Sequence, residues 1–459
     1  MMNENTTKIT AVVVVLVLIV AGIAAFMIFN NGSGSKSNID AALEVYGNAD
    51  NDYKIDDADK TIINNIIQGK EGYTLEKYPL ADANFDGKVT QADLEQVNAI
   101  LKGYSTTVYH LNHTTDTATY PDGTYVASTA WPVKKTIANG AANALIMYQI
   151  TGIKDNIVGI NYSSGSPPDK IIWPDYAAMP SLGSSTMYID ETPLVDCLEA
   201  NPGTTCVLTA DNKGYLDGKK GLSEKELEER YHLDVVRLEH ATPDPDDYCS
   251  ALLLIGFLFQ KDTAAQEVAE WTTKIYNDLE KKTSKVTEKV KATGTAYYTY
   301  LSGPSSDYTA YLTQAGAIYP IWSDAGSTIY FDEKDSRYDS RVYEDRYQGD
   351  VIIAYRTGSG FLKASWYDDS ENWNVEEMQK QLEYFENFKA YESGNVWHTS
   401  GDMPIVARVL YTAAILYPDV YSMSEADKIH QEFVDKFLGG IYKVSDLKFV
   451  LSQAEIEAM

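Results

Sequence analysis

Basic residues, cysteine and histidine are scarce in this sequence. Its 459 residues include 38 Lys and Arg against 66 Asp and Glu, which gives a formal net charge of -28. Such an acidic chain repels phosphate backbones, and no basic stripe offsets the excess. We therefore expect no nucleic acid partner. The length allows about three domains of ordinary size.

Cysteine is too rare for a disulfide scaffold. The three cysteines, Cys197, Cys206 and Cys249, also lack the short paired spacing of a zinc site. Cys197 and Cys206 either form a disulfide in an oxidising compartment or remain separate thiols.

The common catalytic signatures are also absent. The sequence contains no GxxxxGK followed by Ser or Thr, no GxSxG and no HExxH. His110 and His113 fall in a predicted β hairpin, where we expect them at the surface. Capture of a bare transition metal would use a histidine cluster, so the sequence favours a ligand whose metal is already chelated.

An uncharged apolar run lies near the amino terminus. It extends from Ile9 to Phe29 and, as a helix, spans a hydrocarbon core of roughly 30 Å. We interpret residues 1–30 as a single-pass membrane anchor, with cleavage of this segment as an alternative. Residues 31–40, rich in Gly and Ser, then form a flexible linker. The rest of the chain is predicted to be extracytoplasmic.

Residues 41–103 contain an internal repeat of two acidic loops. Oxygen-bearing side chains occupy positions 1, 3, 5, 9 and 12 of each loop, and with the backbone carbonyl at position 7 they can surround Ca²⁺. A short apolar helical pattern follows each loop. The predicted ligands of the two calcium ions are Asn48, Asp50, Asp52, Lys54, Asp56 and Asp59 in the first loop, and Asp82, Asn84, Asp86, Lys88, Thr90 and Asp93 in the second.

This repeat resembles the dockerin family. Position 12 is Asp in both loops, not the Glu of an EF-hand, and no helix is predicted before either loop. The resemblance implies a small all-α calcium module that docks to a cohesin-bearing protein; a calcium module without a partner is the alternative. Tyr53 at position 6, where Gly is usual, predicts a weaker or distorted first site. Positions 10 and 11, which help to select the cohesin in this family, are Asp57-Ala58 and Gln91-Ala92.

Strand and helix patterns alternate in the rest of the chain. After a predicted hairpin, apolar strands such as TTCVLTA alternate with helical segments, which is typical of parallel α/β sheets. A second series of the same kind follows a long polar segment with one apolar stripe, which predicts a helix that bridges two lobes. The predicted units are an N-terminal α/β lobe at 107–260, an interlobe helix at 261–292 and a C-terminal α/β lobe at 293–459.

The order of these segments resembles the solute-binding proteins that deliver iron chelates, haem or cobalamin to ABC importers. KKTIANGAANALIMYQITGIKDNIVGINY is similar to the opening strand, helix and strand of that family. LLLIGFLFQKDTAAQEVAEWTTKIYNDL resembles the approach to its interlobe helix, and SGNVWHTSG with VLYTAAILYPDVY looks like its last strand and closing helix. The resemblance covers roughly residues 107–445. It implies a two-lobed α/β solute-binding domain that captures a metal chelate or corrinoid for an ABC permease.

In that family the ligand lies between the lobes, at the carboxyl ends of the strands. Aromatic side chains there suit a large planar ligand, and Arg356 suits a carboxylate or another anion. By position, the predicted cleft residues are Gly140, Tyr162, Ser163, Asn212, Tyr300, Tyr355, Arg356, Trp397 and His398.

We therefore predict a membrane-anchored solute-binding protein that is not an enzyme. One alternative is a cell-surface adhesion or scaffold protein recruited through dockerin–cohesin binding. Another is a dockerin-borne glycan hydrolase, since such an enzyme needs only two carboxylates.

Overall fold

The computed structural model describes residues 39–139, 142–161, 170–175, 178–296, 299–321, 326–344 and 349–459. The predicted membrane helix, and all of the predicted linker except its last two residues, lie outside these ranges. Within them, no helix combines the length and the apolar character needed to cross a membrane.

The two acidic loops each lead into a helix, as the sequence predicts. The first loop precedes α1 (Asp57–Ile67) and the second precedes α2 (Gln91–Leu101). Both helices begin with a capping box, in which a side chain at loop position 9 and the carboxylate at position 12 satisfy backbone N–H groups of the first turn. The same residue pattern therefore produces the same local structure twice.

A β hairpin leads from the two-loop segment, residues 41–103, into the first lobe. Strands β1 (Thr106–His113) and β2 (Thr124–Trp131) pair antiparallel. The lobe then alternates strands and helices: β3 (Thr136–Asn139), α3 (Ala142–Ile150), β4 (Ile157–Asn161), α4 (Glu191–Ala200), β5 (Cys206–Ala210), α5 (Glu224–Tyr231), β6 (Asp234–Leu238) and α6 (Pro245–Leu258). Its four strands lie in the order β4-β3-β5-β6 and all neighbours are parallel.

The interlobe helix α7 (Asp262–Thr283) is 22 residues long. It is shorter than the predicted 261–292. The Lys289 ammonium donates to the Thr283 carbonyl at 2.7 Å, which caps the last turn. Val286 and Val290, which continue the apolar spacing, pack against the core from beyond the helix. The spacing thus identified a buried face but not the end of the helix.

The second lobe repeats the α/β plan. Its elements are β7 (Ala292–Thr295), β8 (Tyr300–Ser302), α8 (Asp307–Gln314), β9 (Thr328–Tyr330), β10 (Val351–Arg356), α9 (Gly358–Phe361), α10 (Val375–Glu383), α11 (Lys389–Glu392), β11 (Val396–Ser400), α12 (Ile405–Leu416), α13 (Met423–Phe437), β12 (Val450–Ser452) and α14 (Gln453–Ala458). The main sheet has the order β12-β11-β10-β7, with β12 antiparallel and the others parallel, while β8 and β9 form a separate antiparallel pair.

Helix α7 contacts both lobes. It packs along α6 of the first lobe, where Ala265 of α7 approaches Gly256 of α6. On the second lobe, the Trp271 ring packs against Phe433 and Phe437, with centroids 5.6 and 5.5 Å away. The Trp271 indole also donates to a Glu432 carboxylate oxygen at 2.7 Å. This agrees with the predicted bridging role.

The cysteines form no disulfide. Cys197, Cys206 and Cys249 are all buried free thiols. Cys197 lies on α4 with its thiol near the Val158 carbonyl, 3.6 Å away, and Cys206 lies within the central strand β5. Of the two alternatives, the structure therefore has separate thiols.

We predict that Gly256→Ala destabilises the protein. A Cβ at this position would lie 2.3 Å from the Cβ of Ala265, so α6 and α7 would have to separate. We expect a loss of roughly 1–3 kcal/mol of unfolding free energy, measured by denaturant titration. Helix propensity alone would instead raise stability by about 1 kcal/mol. A stabilised variant would therefore contradict the close packing of these two helices.

Candidate functional site

The carboxyl ends of parallel strands define the candidate cleft. In the first lobe, β3, β4, β5 and β6 end at Asn139, Asn161, Ala210 and Leu238. In the second lobe, β7, β10 and β11 end at Thr295, Arg356 and Ser400. Open α/β sheets bind ligands outside these ends. The predicted cleft residues Gly140, Tyr162 and Ser163 lie outside the described residues.

Two buried asparagines fix the first-lobe edge. The Asn161 side-chain amide donates to the Asn139 side-chain oxygen Oδ1 at 2.8 Å and to the Ser185 backbone carbonyl at 2.6 Å. The Asn139 amide in turn donates to the Thr209 hydroxyl at 3.0 Å. Three neighbouring strand ends and the segment around Ser185 are thereby tied together, which gives the cleft wall a defined shape.

Carboxylates from both lobes face one another at these edges. Asp211 follows β5, Glu239 follows β6, and Asp307 begins α8 in the second lobe. Desolvation raises the pKa of Asp211 to about 7, and the negative charges of Glu239 and Asp307 add to the shift. Desolvation and the Glu239 charge also raise the pKa of Asp307, although this residue is exposed to solvent. A side chain that contacts solvent while protein surrounds it on most sides is typical of a concave surface.

His113 lies at the centre of a second group of charges. Its Nε2 is 2.6 Å from a Glu44 oxygen and its Nδ1 is 3.3 Å from a Glu239 oxygen. Ligand atoms of His113, Glu239 and Asp247 all lie within 4.8 Å of one another. With Glu44, this group joins the two-loop segment, the hairpin and the first lobe.

The charges around His113 and Asp247 determine which of these two side chains carries a proton. Burial lowers the pKa of His113, but the Glu44 and Glu239 carboxylates more than offset this and raise it well above its usual value. Burial and a hydrogen bond to Glu239 raise the pKa of Asp247 to about 9. At neutral pH an imidazolium therefore links Glu44 and Glu239, while Asp247 keeps its proton.

The hairpin histidines were expected at the surface, and that expectation is wrong. His110 is fully buried, with Nε2 2.9 Å from the Thr129 hydroxyl. His113 is largely buried because it pairs with carboxylates from other segments. The two partners of His113, Glu44 and Glu239, are both far from it in the sequence.

Three of the predicted second-lobe residues are buried. Tyr355 is 1% exposed, and its hydroxyl lies 3.0 Å from that of Thr412. The Arg356 guanidinium donates to the Ala296 carbonyl and to the Gln381 side chain, both of them protein acceptors. His398 is 0% exposed and stacks on Phe361 at 4.3 Å. Position at a strand end was thus insufficient to predict exposure.

The other predicted cleft residues are more accessible. Asn212 is exposed in the loop after β5, and its side-chain oxygen accepts from the Gly214 backbone at 2.8 Å. Tyr300 and Trp397 are half-buried. Asp211 lies in the same predicted cleft loop as Asn212, whereas Glu239 and Asp307 were not predicted as cleft residues. Glu239 ends a predicted strand, so its position could have identified it.

The two acidic loops have matching geometry at position 12. The Asp59 carboxylate accepts from the backbone N–H groups of Asp50 and Asp56, at 3.2 and 2.6 Å. In the second loop, the Asp93 carboxylate accepts in the same way from Asn84 and Thr90, at 3.1 and 2.7 Å. Each loop is therefore closed by its last carboxylate.

The loops differ at position 6. Gly87 has a φ of 86° and donates its N–H to the Asp82 carboxylate at 2.7 Å. Tyr53, at the same position of the first loop, is not among the residues with positive φ. Correspondingly, Oδ1 of Asn48 and Oδ1 of Asp50 are buried without a hydrogen-bond donor. Buried oxygens without donors are costly unless a cation or another donor satisfies them.

Comparison with known proteins supports the architecture. No protein-family model and no curated protein matches the sequence. Among solved structures, the TroA-like periplasmic binding protein FepB from Veillonella parvula is similar, with a TM-score of 0.51 and 16% identity over 72% of this chain and 97% of that chain. An ABC transporter solute-binding protein from Sulfurospirillum deleyianum gives a TM-score of 0.49 and 15% identity over 69% of this chain and 93% of that chain. The chain therefore has the two-lobed α/β fold of TroA-like periplasmic binding proteins.

We predict that His113→Asn destabilises the protein in a pH-dependent way. The folded-state pKa of His113 is raised above its ordinary value of about 6.5, so its stabilisation is complete below about pH 6.5 and is lost as the pH rises through the folded-state pKa. Removing the cation leaves Glu44 and Glu239 unpaired, and we expect a loss of about 3 kcal/mol at pH 6. The loss should shrink at alkaline pH.

The matched control is His232→Asn. His232 is exposed and ends α5 with a φ of 54°, a conformation that Asn tolerates. Denaturant titrations of both variants between pH 6 and pH 10 check the prediction. Equal, pH-independent losses in the two variants would contradict the charged link.

Proposed function

We propose that this chain is an extracytoplasmic solute-binding protein that captures a metal chelate or a corrinoid between its lobes for an ABC importer. The observation that carries the proposal is the pairing of two parallel-sheet lobes through one 22-residue helix, with carboxylates of both strand-end edges close enough for their charges to interact. Ligand sites in two-lobed α/β proteins lie at such edges. We expect the protein to bind and release its ligand unchanged, so we do not propose it as an enzyme.

The charges at the two edges favour a ligand with positive charge or with hydrogen-bond donors. Asp211, Glu239 and Asp307 supply carboxyl groups. The Arg356 and Arg408 guanidinium groups instead donate to protein acceptors, including the Gly401 carbonyl at 2.6 Å for Arg408. An anionic chelate would gain little from such a site, whereas a cationic complex would be attracted.

We also propose that each of the two acidic loops binds a calcium ion. The first loop would use Asn48, Asp50, Asp52, Asp56 and Asp59 with the Lys54 carbonyl, and the second Asp82, Asn84, Asp86, Thr90 and Asp93 with the Lys88 carbonyl. The fit is supported by the two buried donor-less oxygens of Asn48 and Asp50. Bound calcium supplies charge that holds the oxygens of each loop together. The weaker first site expected from Tyr53 stays a prediction. An amino-terminal membrane anchor completes the proposal.

A second candidate function is adhesion or scaffolding through a cohesin-bearing partner. It is favoured by the exposure of Asp57, Ala58, Gln91 and Ala92, which occupy positions 10 and 11 of the two loops. Pull-down from the native envelope, with and without EDTA, tests it. A partner retained only with calcium supports docking, and an identical partner list in both conditions rejects it. A glycan hydrolase would instead require turnover that is lost on mutation of a carboxylate pair.

We predict that the purified protein binds at least one of haem, cobalamin or a ferric chelate at micromolar concentration, measured by Trp and Tyr fluorescence. For a ligand that carries positive charge or hydrogen-bond donors, Asp307→Asn should weaken binding about fivefold, the effect of ~1 kcal/mol. The control Asp419→Asn removes the same charge from an exposed position after α12, near Lys285 and Glu288 beyond the end of α7, and should leave the affinity unchanged. No response to any of these ligands removes this ligand class.

A further inference from the structure

The first calcium loop lies against the interlobe helix. The Tyr53 hydroxyl is 3.2 Å from the Thr273 hydroxyl on α7, and the Gln266 side-chain amide, also on α7, donates to the Tyr53 carbonyl at 3.4 Å. The Tyr53 ring is half-buried and packs against the main hydrophobic core. The residue that departs from the usual Gly is therefore the one that attaches the loop to the helix.

The segment before this loop is attached to the first lobe as well. The Asp40 N–H donates to an Asp246 carboxylate oxygen at 2.6 Å, and the Ala42 N–H donates to the Ser250 hydroxyl at 3.2 Å. Both acceptors lie on α6, which packs along α7. Val45, Ala49 and Ile55 belong to the same hydrophobic cluster as α6 and α7. The first loop thus packs as part of the first lobe and not as an independent domain.

The second loop makes its contacts elsewhere. The Phe85 ring, at position 4, lies 5.7 Å from the ring of Tyr109 on β1 and 4.8 Å from that of Tyr46. The Gln96 side-chain amide donates to the Thr107 carbonyl at 2.9 Å. This loop therefore rests on the hairpin, and the two loops differ in the element they hold.

We propose that calcium bound in the first loop stiffens the interlobe helix, so that calcium controls the element that joins the two lobes. The inference rests on the calcium sites of the proposed function. Ordering of the oxygens at Asn48, Asp50 and Asp52 restricts the backbone that carries Tyr53. The restriction reaches α7 through the Thr273 and Gln266 contacts. Calcium in the second loop stabilises the hairpin side without this effect.

A matched pair of variants separates the two loops. Asp52 and Asp86 both occupy position 5, both are exposed, and each accepts only a local backbone hydrogen bond, from Lys54 at 2.8 Å and from Lys88 at 3.0 Å. Asp52→Ala and Asp86→Ala thus remove one calcium ligand each at similar cost to the fold. Tyr53→Ala keeps the ligands of the first loop but removes the ring and hydroxyl that contact α7.

The experiment combines calorimetric titration of CaCl₂ with hydrogen exchange of the α7 peptide from Gln266 to Thr273, in the full chain. We expect two bound ions, and about tenfold slower exchange in this peptide with calcium than with EGTA. Asp86→Ala should keep the slowing and Asp52→Ala should lose it. Tyr53→Ala keeps the backbone carbonyl that Gln266 contacts and should lose most of the slowing.

The outcomes distinguish the inference from the proposed calcium sites. Two bound ions with no change of exchange in α7, or a slowing that survives in Asp52→Ala and Tyr53→Ala, overturns the inference alone. A titration in which neither loop binds calcium overturns both the sites and the inference. If Asp86→Ala loses the slowing and Asp52→Ala keeps it, the slowing of exchange in α7 depends on the second loop, and the inference is overturned.

Discussion

Burial of one face of the interlobe helix is the contact on which the rest of this molecule depends. Val268 and Leu279 are 0% and 1% exposed, and the Trp271 ring packs on Phe433 and Phe437 of α13 in the second lobe. An aromatic side chain of this size buries 150–250 Å², which contributes about 4 to 6 kcal/mol. Because α7 packs on α6 of one lobe and on α13 of the other, its buried face sets how the two strand-end edges meet.

Two groups of charged side chains in this acidic chain form where segments distant in sequence come together. Glu44 from the two-loop segment and Glu239 from the first lobe share the His113 imidazolium. Desolvation, together with the negative charge of Glu239, raises the pKa of both Asp211 in the first lobe and Asp307 in the second. The first arrangement stabilises a contact between distant parts of the fold. The second places carboxyl groups of both lobes at the edges where the proposed ligand would bind.

Local patterns predicted much of the fold. The helices after the acidic loops follow from capping residues and apolar spacing, and the parallel lobes follow from alternating strands and helices. The end of α7 was wrong by several residues because Val286 and Val290 keep the apolar spacing in a turn that packs on the same core.

The site was harder to predict than the fold because it depends on contacts between distant residues. Tyr355 and His398 lie on strands of the central sheet, and sequence position does not tell which face of a doubly covered strand meets a helix. Glu44 and His113 are 69 residues apart, so no local spacing relates them. The contact of Tyr53 with Thr273 spans 220 residues and likewise has no local signal.

The most direct test of the account is an experimental structure of the protein purified from its source with its native solute bound. The account predicts that the solute lies between the lobes, in contact with the carboxyl ends of β5 and β10, with the carboxyl groups of Asp211 and Asp307 beside its positive or hydrogen-donating groups. A solute bound elsewhere on the chain, or an anionic solute at these two carboxylates, would contradict it.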